Sequence, residues 1–334
     1  MRAPGRVNLI GDHTDYTDGL VLPMAIDRWT VIEGRAAPGR VALTSADGSG
    51  RAQFSVPMDD EPSSIEPRWA RYVAAMAREL GATVGMTGTI HTTIPLGSGL
   101  SSSAALLVAT ALALGADPEP RTLAMAARRA EFAATGVPTG IMDPLCIASA
   151  HEGHATVIDC HTLEIRHLPM PAEASVVVRF VTPRTLEGSA YADRVAECAR
   201  AESEIGPLRL ATAADSAALA DPILRRRARH VISENARVTL FADAIAGGRL
   251  AEAGEIMVEG HRSLAEDFDT STPAMDEAVL ELTSTPGVYG ARMTGGGFGG
   301  CVVALCEAGA DVPGWVVRPA SRAHRTDDTV NDHS

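Results

Sequence analysis

A short segment of small residues, Pro-Leu-Gly-Ser-Gly-Leu-Ser-Ser-Ser at positions 95–103, constrains this chain more than any other stretch. It lies between an alternating segment (residues 88–94) and an apolar run (residues 104–114) that only Thr110 interrupts. The alternation predicts a strand, and the run, far shorter than the ~20 residues of a membrane span, predicts a buried helix. A small-residue loop between them directs backbone N–H groups and the helix dipole at one point, which suits a phosphate. The alternative interpretation is a tight turn with a serine N-cap.

The composition excludes several classes of partner. With 334 residues the chain is long enough for one large domain or two moderate ones. Its net charge of −13 argues against a nucleic-acid or anionic-membrane partner, and no segment is typical of a signal peptide. Five cysteines without CxxC spacing predict a reduced, cytoplasmic protein without a disulfide framework or zinc site. All 29 basic residues are arginine, so a nucleotide loop here must work without the lysine of Walker-type loops.

A dense polar cluster follows a short apolar segment near the start of the chain. Residues 7–10 predict a strand, and Asp12, His13, Asp15 and Asp18 come directly after it. Carboxylates and an imidazole that converge at a strand end offer acceptors for several hydroxyls of a sugar. The alternative is an ordinary surface turn.

Two further segments carry unusual residues. Asp143 stands alone in an uncharged, glycine-bounded stretch, and an isolated carboxylate is costly to bury unless it has a partner. It is therefore a candidate general base or a helix-capping residue. Six glycines between residues 290 and 300 remove side chains at points where another backbone or a ligand must come close.

Taken together, these segments resemble the three signature motifs of the galactokinases, within the GHMP family of small-molecule kinases. Residues 2–16 resemble the sugar motif, residues 95–105 the nucleotide loop, and residues 290–301 the third, glycine-rich motif. The resemblance extends over residues 2–306, and three motifs in this order are highly specific.

The resemblance implies an α/β (α+β) protein with the two-domain GHMP kinase fold. The N-terminal domain, residues 1–170, would carry the nucleotide loop in a left-handed βαβ unit, and residues 171–318 would form a ferredoxin-like domain. The active site would lie in the cleft between them. The polar residues 319–334 predict a disordered tail. The implied reaction transfers a phosphoryl group from Mg·ATP to the anomeric C1 hydroxyl of a sugar, in a monomer or homodimer.

The resemblance also implies a role for individual residues. Asp143 would take the proton of the C1 hydroxyl, and Arg6 would hold Asp143 ionised and stabilise the transferring phosphoryl group. Ser103 and Glu131 would hold Mg²⁺. Contacts to the phosphates would come from the loop residues Gly97, Ser98, Gly99, Leu100, Ser101, Ser102 and Ser103. Contacts to the sugar would come from Asp12, His13, Thr14, Asp15, Gly140, Asp143 and Tyr191, and the third motif would close the cleft through Gly295, Gly296 and Gly297.

Some residues depart from the family pattern and leave the substrate open. Asp12 stands where galactokinases usually have glutamate, Pro144 replaces a usual glutamine, and the chain is short after Cys306. The default hypothesis is a galactose 1-kinase. A second is a 1-kinase for a different or larger sugar, such as a heptose or octose. A third is a galactokinase-like sensor that binds sugar and ATP and acts on a partner, against which the intact acid, arginine and metal pair argue.

Overall fold

The computed structural model describes residues 1–117, 119–184 and 190–326 of the chain. Its strands are β1 (Arg2–Ile10), β2 (Leu20–Pro38), β3 (Arg40–Ser45), β4 (Arg51–Ser55), β5 (Val84–Thr92), β6 (His154–Asp159), β7 (Ile165–Pro169), β8 (Ala174–Thr182), β9 (Val288–Met293), β10 (Gly300–Glu307) and β11 (Trp315–Val317). Its helices are α1 (Arg68–Glu79), α2 (Ser102–Ala113), α3 (Pro120–Thr135), α4 (Met142–Ser149), α5 (Tyr191–Ile205), α6 (Ala213–Ala218), α7 (Pro222–Ala246), α8 (Leu250–Glu266) and α9 (Pro273–Thr283). Among these described helices, none is both long and apolar enough to cross a bilayer.

The long strand β2 organises the first sheet, whose order is β4-β3-β5-β2-β6-β7 with β1 paired to β2. It pairs with β6 at its start, with β1 along its middle and with β5 at its end. Strands β3 and β5 run parallel, and the other pairs in this sheet are antiparallel. In the register of β1 and β2, Arg6 on β1 lies opposite Ala25 on β2.

Helix α2 confirms the prediction made from the apolar run. Its residues are buried on nearly every side, as expected of a helix without a polar face. It packs against α1, α3 and the two strands β1 and β2. Ser101, immediately before the helix, has a left-handed backbone conformation (φ 66°). This conformation redirects the chain from the loop into the helix, which begins at Ser102.

The second sheet has the order β11-β8-β10-β9, and its pairs are all antiparallel. In chain order this is the 4-1-3-2 arrangement of a ferredoxin-like domain. Both faces of the sheet are covered: Val176 and Val178 contribute to the core shared with the first sheet, and Val177 to a separate core beneath α5, α7 and α9. The prediction of a two-domain α/β protein is therefore confirmed.

The segment after Cys306, which the sequence analysis described as short, connects β10 to β11. Residues 308–314 pass from β10 to β11 in turns and bends, so no helix crosses between these two strands. The proposed domain boundary at residues 170/171 falls in the connection between β7 and β8, where the chain leaves the first sheet for the second.

The prediction of a disordered tail over residues 319–334 is wrong for residues 319–326, which lie against the N-terminal domain. Ala320 and Ala323 are buried, and the Ala323 N–H donates to the Ile147 carbonyl at 2.9 Å. The polar composition gave no sign of this order because its partners are backbone groups of distant elements. Residues 327–334 lie outside the described part of the chain.

Candidate active site

Most of the predicted site residues meet in one pocket between the two domains. Residues of the sugar motif, the loop before α2, the helix α3 and the start of α4 form the N-terminal side. The C-terminal domain contributes Arg184, Tyr191, Gly295 and Gly296.

Arg6 and Asp143 form a two-pronged ion pair in this pocket. The Arg6 Nε donates to Oδ1 of Asp143 at 2.6 Å, and Nη2 donates to Oδ2. The Ser101 hydroxyl also donates to Oδ2, at 2.6 Å, so three donors fix the carboxylate on the first turn of α4. Burial alone would lower the pKa of Arg6, but Asp143 outweighs it and raises that pKa. The remaining Arg6 nitrogen, Nη1, donates to the Gly99 carbonyl at 2.6 Å.

Some residues of the loop before α2 line the pocket, and others are buried beneath the loop. Gly97, Gly99, Ser101, Ser102 and Ser103 line the pocket. Gly97 and Gly99 have positive φ angles (70° and 78°), a conformation that glycine adopts without strain.

Two other loop residues predicted to contact the nucleotide are buried beneath the loop. The Ser98 hydroxyl donates to the Pro95 carbonyl at 2.5 Å, and the Leu100 carbonyl accepts the Arg6 N–H at 3.1 Å. Ser98 is 1% exposed and Leu100 is 1% exposed. They shape the loop, and their side chains do not face the pocket.

Ser103 and Glu131 lie side by side on the pocket wall. The Ser103 hydroxyl donates to Glu131 Oε1 at 2.7 Å, and the Thr139 hydroxyl donates to Oε2 at 3.0 Å. Burial raises the pKa of Glu131. A hydroxyl and a carboxylate are the oxygen ligands that Mg²⁺ takes while it keeps several waters, so this pair fits a magnesium ion. In the described residues, no three histidine, cysteine or acidic side chains form a closed metal site.

On the sugar-motif side, Asp15 packs directly against Gly140. A Cβ atom at position 140 would lie 1.8 Å from Asp15 Oδ2, so the absence of a side chain there makes room for this carboxylate. Burial, together with the nearby carboxylates of Asp143 and Asp12, raises the pKa of Asp15 to about 7.

An aromatic wall stands beside Asp15. The ring of His13 lies 5.5 Å from that of Tyr191 and 4.8 Å from that of Phe268. His13 and Tyr191 line the pocket, and burial lowers the pKa of His13 well below its usual value, which keeps the imidazole neutral.

Asp12 lines the pocket, is almost fully buried, and joins two motifs. Its Oδ2 accepts from Arg292 Nη2 at 2.9 Å, and its Oδ1 accepts from the Gly295 N–H at 2.9 Å. Arg292 also donates to Glu234 at 2.8 Å, and Glu234 accepts the Gly11 N–H at 2.9 Å. Burial raises the pKa of Asp12 to about 6. This network ties the sugar motif to the third motif and to α7.

Two predicted contact residues are placed elsewhere. The Thr14 hydroxyl lies within hydrogen-bond distance of the Gly11 and Leu20 carbonyls, and the residue is fully buried outside the pocket lining. Gly297 also lies behind the lining, where its carbonyl accepts from Arg184 Nη1 at 3.3 Å. The prediction of Thr14 as a sugar contact is wrong for this reason: its one hydroxyl serves the turn that presents His13 and Asp15.

The sequence interpretation missed Arg184, Arg68 and Tyr72, which also line the pocket. Arg184 follows the end of β8, and its guanidinium approaches Gly99 and Gly295, which have no side chain to block it. Burial lowers the pKa of Arg184 to about 10, so it stays charged at neutral pH. A lone arginine just after an apolar strand was the only signal for it. For Arg68 and Tyr72 the signal was their spacing of four residues on α1.

Comparison with known proteins agrees with this geometry. Residues 1–36 match the galactokinase galactose-binding signature, residues 69–151 the GHMP kinase N-terminal domain, and residues 241–312 the GHMP kinase C-terminal domain. The chain is 40% identical to the galactokinase of Homo sapiens over 329 residues, which are 93% of this chain and 84% of that protein. It is also 40% identical to the galactokinase of Chloroflexus aggregans, over 92% of this chain and 83% of that one.

Solved structures extend the likeness to three dimensions. The galactokinase of Lactococcus lactis complexed with galactose superimposes with a TM-score of 0.87 at 28% identity, covering 97% of this chain and 94% of that one. The mevalonate kinase of Methanococcus jannaschii, at 18% identity and a TM-score of 0.68, shares the fold over 96% of this chain and 98% of its own.

Proposed function

This chain belongs to the galactokinase family of the GHMP kinases, and on that basis we propose that it transfers the γ-phosphoryl group of ATP to the C1 hydroxyl of galactose. The products are galactose 1-phosphate and ADP. The observation that carries the proposal is the placement of Arg6, Asp143, Ser103 and Glu131 around one pocket between the domains.

Asp143 acts as the general base. Its carboxylate faces the pocket, is 25% exposed, and is fixed by Arg6 and Ser101. Phosphoryl transfer depends mainly on the alignment of the nucleophile and on neutralisation of charge. A carboxylate held in one orientation accepts the C1 proton as the hydroxyl oxygen attacks phosphorus.

Positive charge around the transferred group comes from two arginines. Arg6 reaches the pocket from β1, and Arg184 reaches it from the end of β8 in the other domain. In a chain without lysine, these guanidinium groups take the part that a lysine plays in Walker-type loops. The backbone of Gly97, Gly99 and Ser101 lies against the phosphates, next to the N-terminus of α2.

Ser103 and Glu131 are the residues that would hold Mg²⁺, and the ion would supply charge neutralisation at the phosphate oxygens. The Thr139 hydroxyl, which donates to the second oxygen of Glu131, orients that carboxylate.

Galactose is favoured over a heptose or an octose because both the family signature and the relatives at 40% identity are those of galactokinases. Asp15, His13 and Tyr191 line the same pocket and offer the sugar acceptors and an aromatic wall. Asp12 lines the same pocket, and its two oxygens accept from Arg292 and from the Gly295 N–H, which fixes the orientation of the carboxylate.

The proposal is tested by incubating the protein with ATP, Mg²⁺ and single aldoses and following the products by phosphorus NMR. An anomeric phosphate formed fastest from galactose supports it. A phosphate formed only from a larger sugar, or no sugar phosphate despite ATP binding, overturns it.

Assembly and location complete the proposal. The five cysteines are free and buried thiols, which suits a reducing, cytoplasmic compartment. A monomer or a homodimer is expected, and light scattering after gel filtration distinguishes the two.

A further inference from the structure

After β11 the chain returns to the N-terminal domain as an extended segment, residues 318–325, here called the C-terminal strap. The Ala320 N–H donates to the Ala25 carbonyl at 2.9 Å, and the Arg318 carbonyl accepts the Asp27 N–H at 3.2 Å. Ala320 and Ala323 are 7% and 5% exposed, so the strap is packed onto the domain. None of its residues is among those that line the described pocket.

The strap caps the helix that carries the proposed base. The last carbonyls of a helix have no partner within it and must find one elsewhere. In α4, the Ile147 carbonyl accepts the Ala323 N–H at 2.9 Å, and the Ala150 carbonyl just beyond the helix accepts the Arg322 N–H at 2.9 Å. Asp143 stands in the first turn of this eight-residue helix, so the strap holds the end opposite to the base.

The strap also pairs with the strand that carries Arg6. Arg2, four residues before Arg6 on β1, exchanges two backbone hydrogen bonds of 3.0 Å with His324. The Arg2 side chain adds a 2.7 Å hydrogen bond from Nε to His324 Nε2 and lies over the Trp29 ring, 4.4 Å from its centre. The His324 ring packs edge-on against the same Trp29.

A third contact reaches the helix behind the phosphate loop. Arg325 Nη2 lies 3.5 Å from the Leu112 carbonyl and 3.4 Å from the Ala116 carbonyl, at the C-terminal end of α2. A cation at this end of a helix complements its dipole. Ser103 lies at the other end of the same helix.

We infer that the C-terminal strap is a positioning element for phosphoryl transfer, which holds the elements bearing Asp143, Arg6 and Ser103 in register from behind. Each of these elements presents its functional side chain to the pocket and its backbone to the strap. A displacement of about 1 Å at a reacting group can cost about a hundredfold in rate, so a brace of this kind affects turnover directly. The inference rests on the proposed kinase function for its kinetic readout, but not for its structural one.

The test compares two substitutions at one position of the full-length chain. Arg322→Pro removes the N–H that reaches Ala150, because proline has no such donor. Arg322→Ala keeps that N–H and alters only an exposed side chain, so it is the matched control. Both variants are assayed at 25 °C after circular dichroism has shown that they are folded.

For Arg322→Pro we expect kcat to fall about tenfold or more with the affinity for ATP within about twofold, together with at least tenfold faster hydrogen exchange in α4. Arg322→Ala is expected to match the parent chain in all three. A lower melting temperature with unchanged kcat and unchanged exchange in α4 would make the strap merely structural and would overturn the inference. If the parent chain does not phosphorylate galactose, the proposed function fails, but the exchange of α4 still decides about the strap.

A milder variant, Arg325→Ala, tests the contact to α2 separately. It retains the backbone of the strap and removes the guanidinium from the Leu112 and Ala116 carbonyls. Faster exchange of the amides at the end of α2 supports the inference, and unchanged exchange there removes α2 from it.

Discussion

The Ser101 hydroxyl donates a hydrogen bond of 2.6 Å to Oδ2 of Asp143, joining the phosphate loop to the proposed base across 42 residues of sequence. A hydrogen bond to a charged group contributes about 1.5–3 kcal/mol, so its loss should lower kcat by roughly ten- to a hundredfold. Steady-state kinetics of Ser101→Ala measure this effect.

The control for this substitution is Ser101→Gly, because position 101 has a positive φ that alanine tolerates poorly. Both variants lack the hydroxyl, but glycine carries no backbone strain. If kcat drops only in the alanine variant, strain is the cause and the hydrogen bond to Asp143 is not.

The buried network behind the pocket predicts a stability effect. Arg292 is fully buried between Asp12 and Glu234, and truncating it leaves the Asp12 carboxylate without its cation and Glu234 with Arg237 alone. Breaking a buried ion pair typically costs about 3–5 kcal/mol. We expect Arg292→Met to lower the free energy of unfolding in urea by that amount. The exposed pair Arg249–Glu252 provides the control, since Arg249→Met should cost about 1 kcal/mol or less. Equal losses for the two variants would contradict this account of the network.

The raised pKa of Asp15 predicts a pH dependence of sugar binding. Burial, with Asp143 and Asp12 nearby, raises that pKa to about 7, so Asp15 is mostly protonated at pH 6 and mostly ionised at pH 8. Only the ionised carboxylate accepts hydrogen bonds through both oxygens. The KM for galactose should therefore fall about tenfold as the pH rises from 6 to 8. Asp15→Asn should show a higher KM with this dependence removed; a variant that retains the full pH profile would exclude Asp15 as its source.

The pairing of Ser103 with Glu131 predicts the metal requirement. Glu131→Gln keeps the size of the side chain but removes the negative charge, so the Mg²⁺ concentration for half-maximal activity should rise at least about tenfold. Titration of Mg²⁺ at saturating ATP measures it. An unchanged Mg²⁺ dependence would place the ion on other residues.

Much of the site could be predicted because its residues lie in short, unusual segments. The loop at residues 95–103 is unusually rich in glycine and serine, and Asp143 is a lone carboxylate in an uncharged segment. Residues of this loop and Asp143 line the pocket. The apolar run at residues 104–114 also predicted a buried helix, and α2 runs over Ser102–Ala113. Features of this kind depend on neighbouring residues in the sequence, so they can be predicted without knowledge of tertiary contacts.

The remainder depends on contacts between distant parts of the chain. Arg184 carries no local motif, and it reaches the pocket only because β8 ends there. Thr14 sits within a matching motif, yet its hydroxyl is used by the backbone of its own turn. Residues 319–326 are ordered by acceptors on β2 and α4, such as the carbonyls of Ala25 and Ile147, and no composition rule contains that information.

The central claim is that Asp143 removes the proton of the sugar hydroxyl while Arg6 holds it in place, and Asp143→Asn tests it most directly. The measurement is kcat with galactose, beside the dissociation constant for Mg·ATP from calorimetry on the same preparation. General-base catalysis contributes about 10²- to 10⁴-fold, so kcat should fall by that factor while the dissociation constant stays within about twofold. A variant that retains kcat within about threefold of the parent chain would contradict the account.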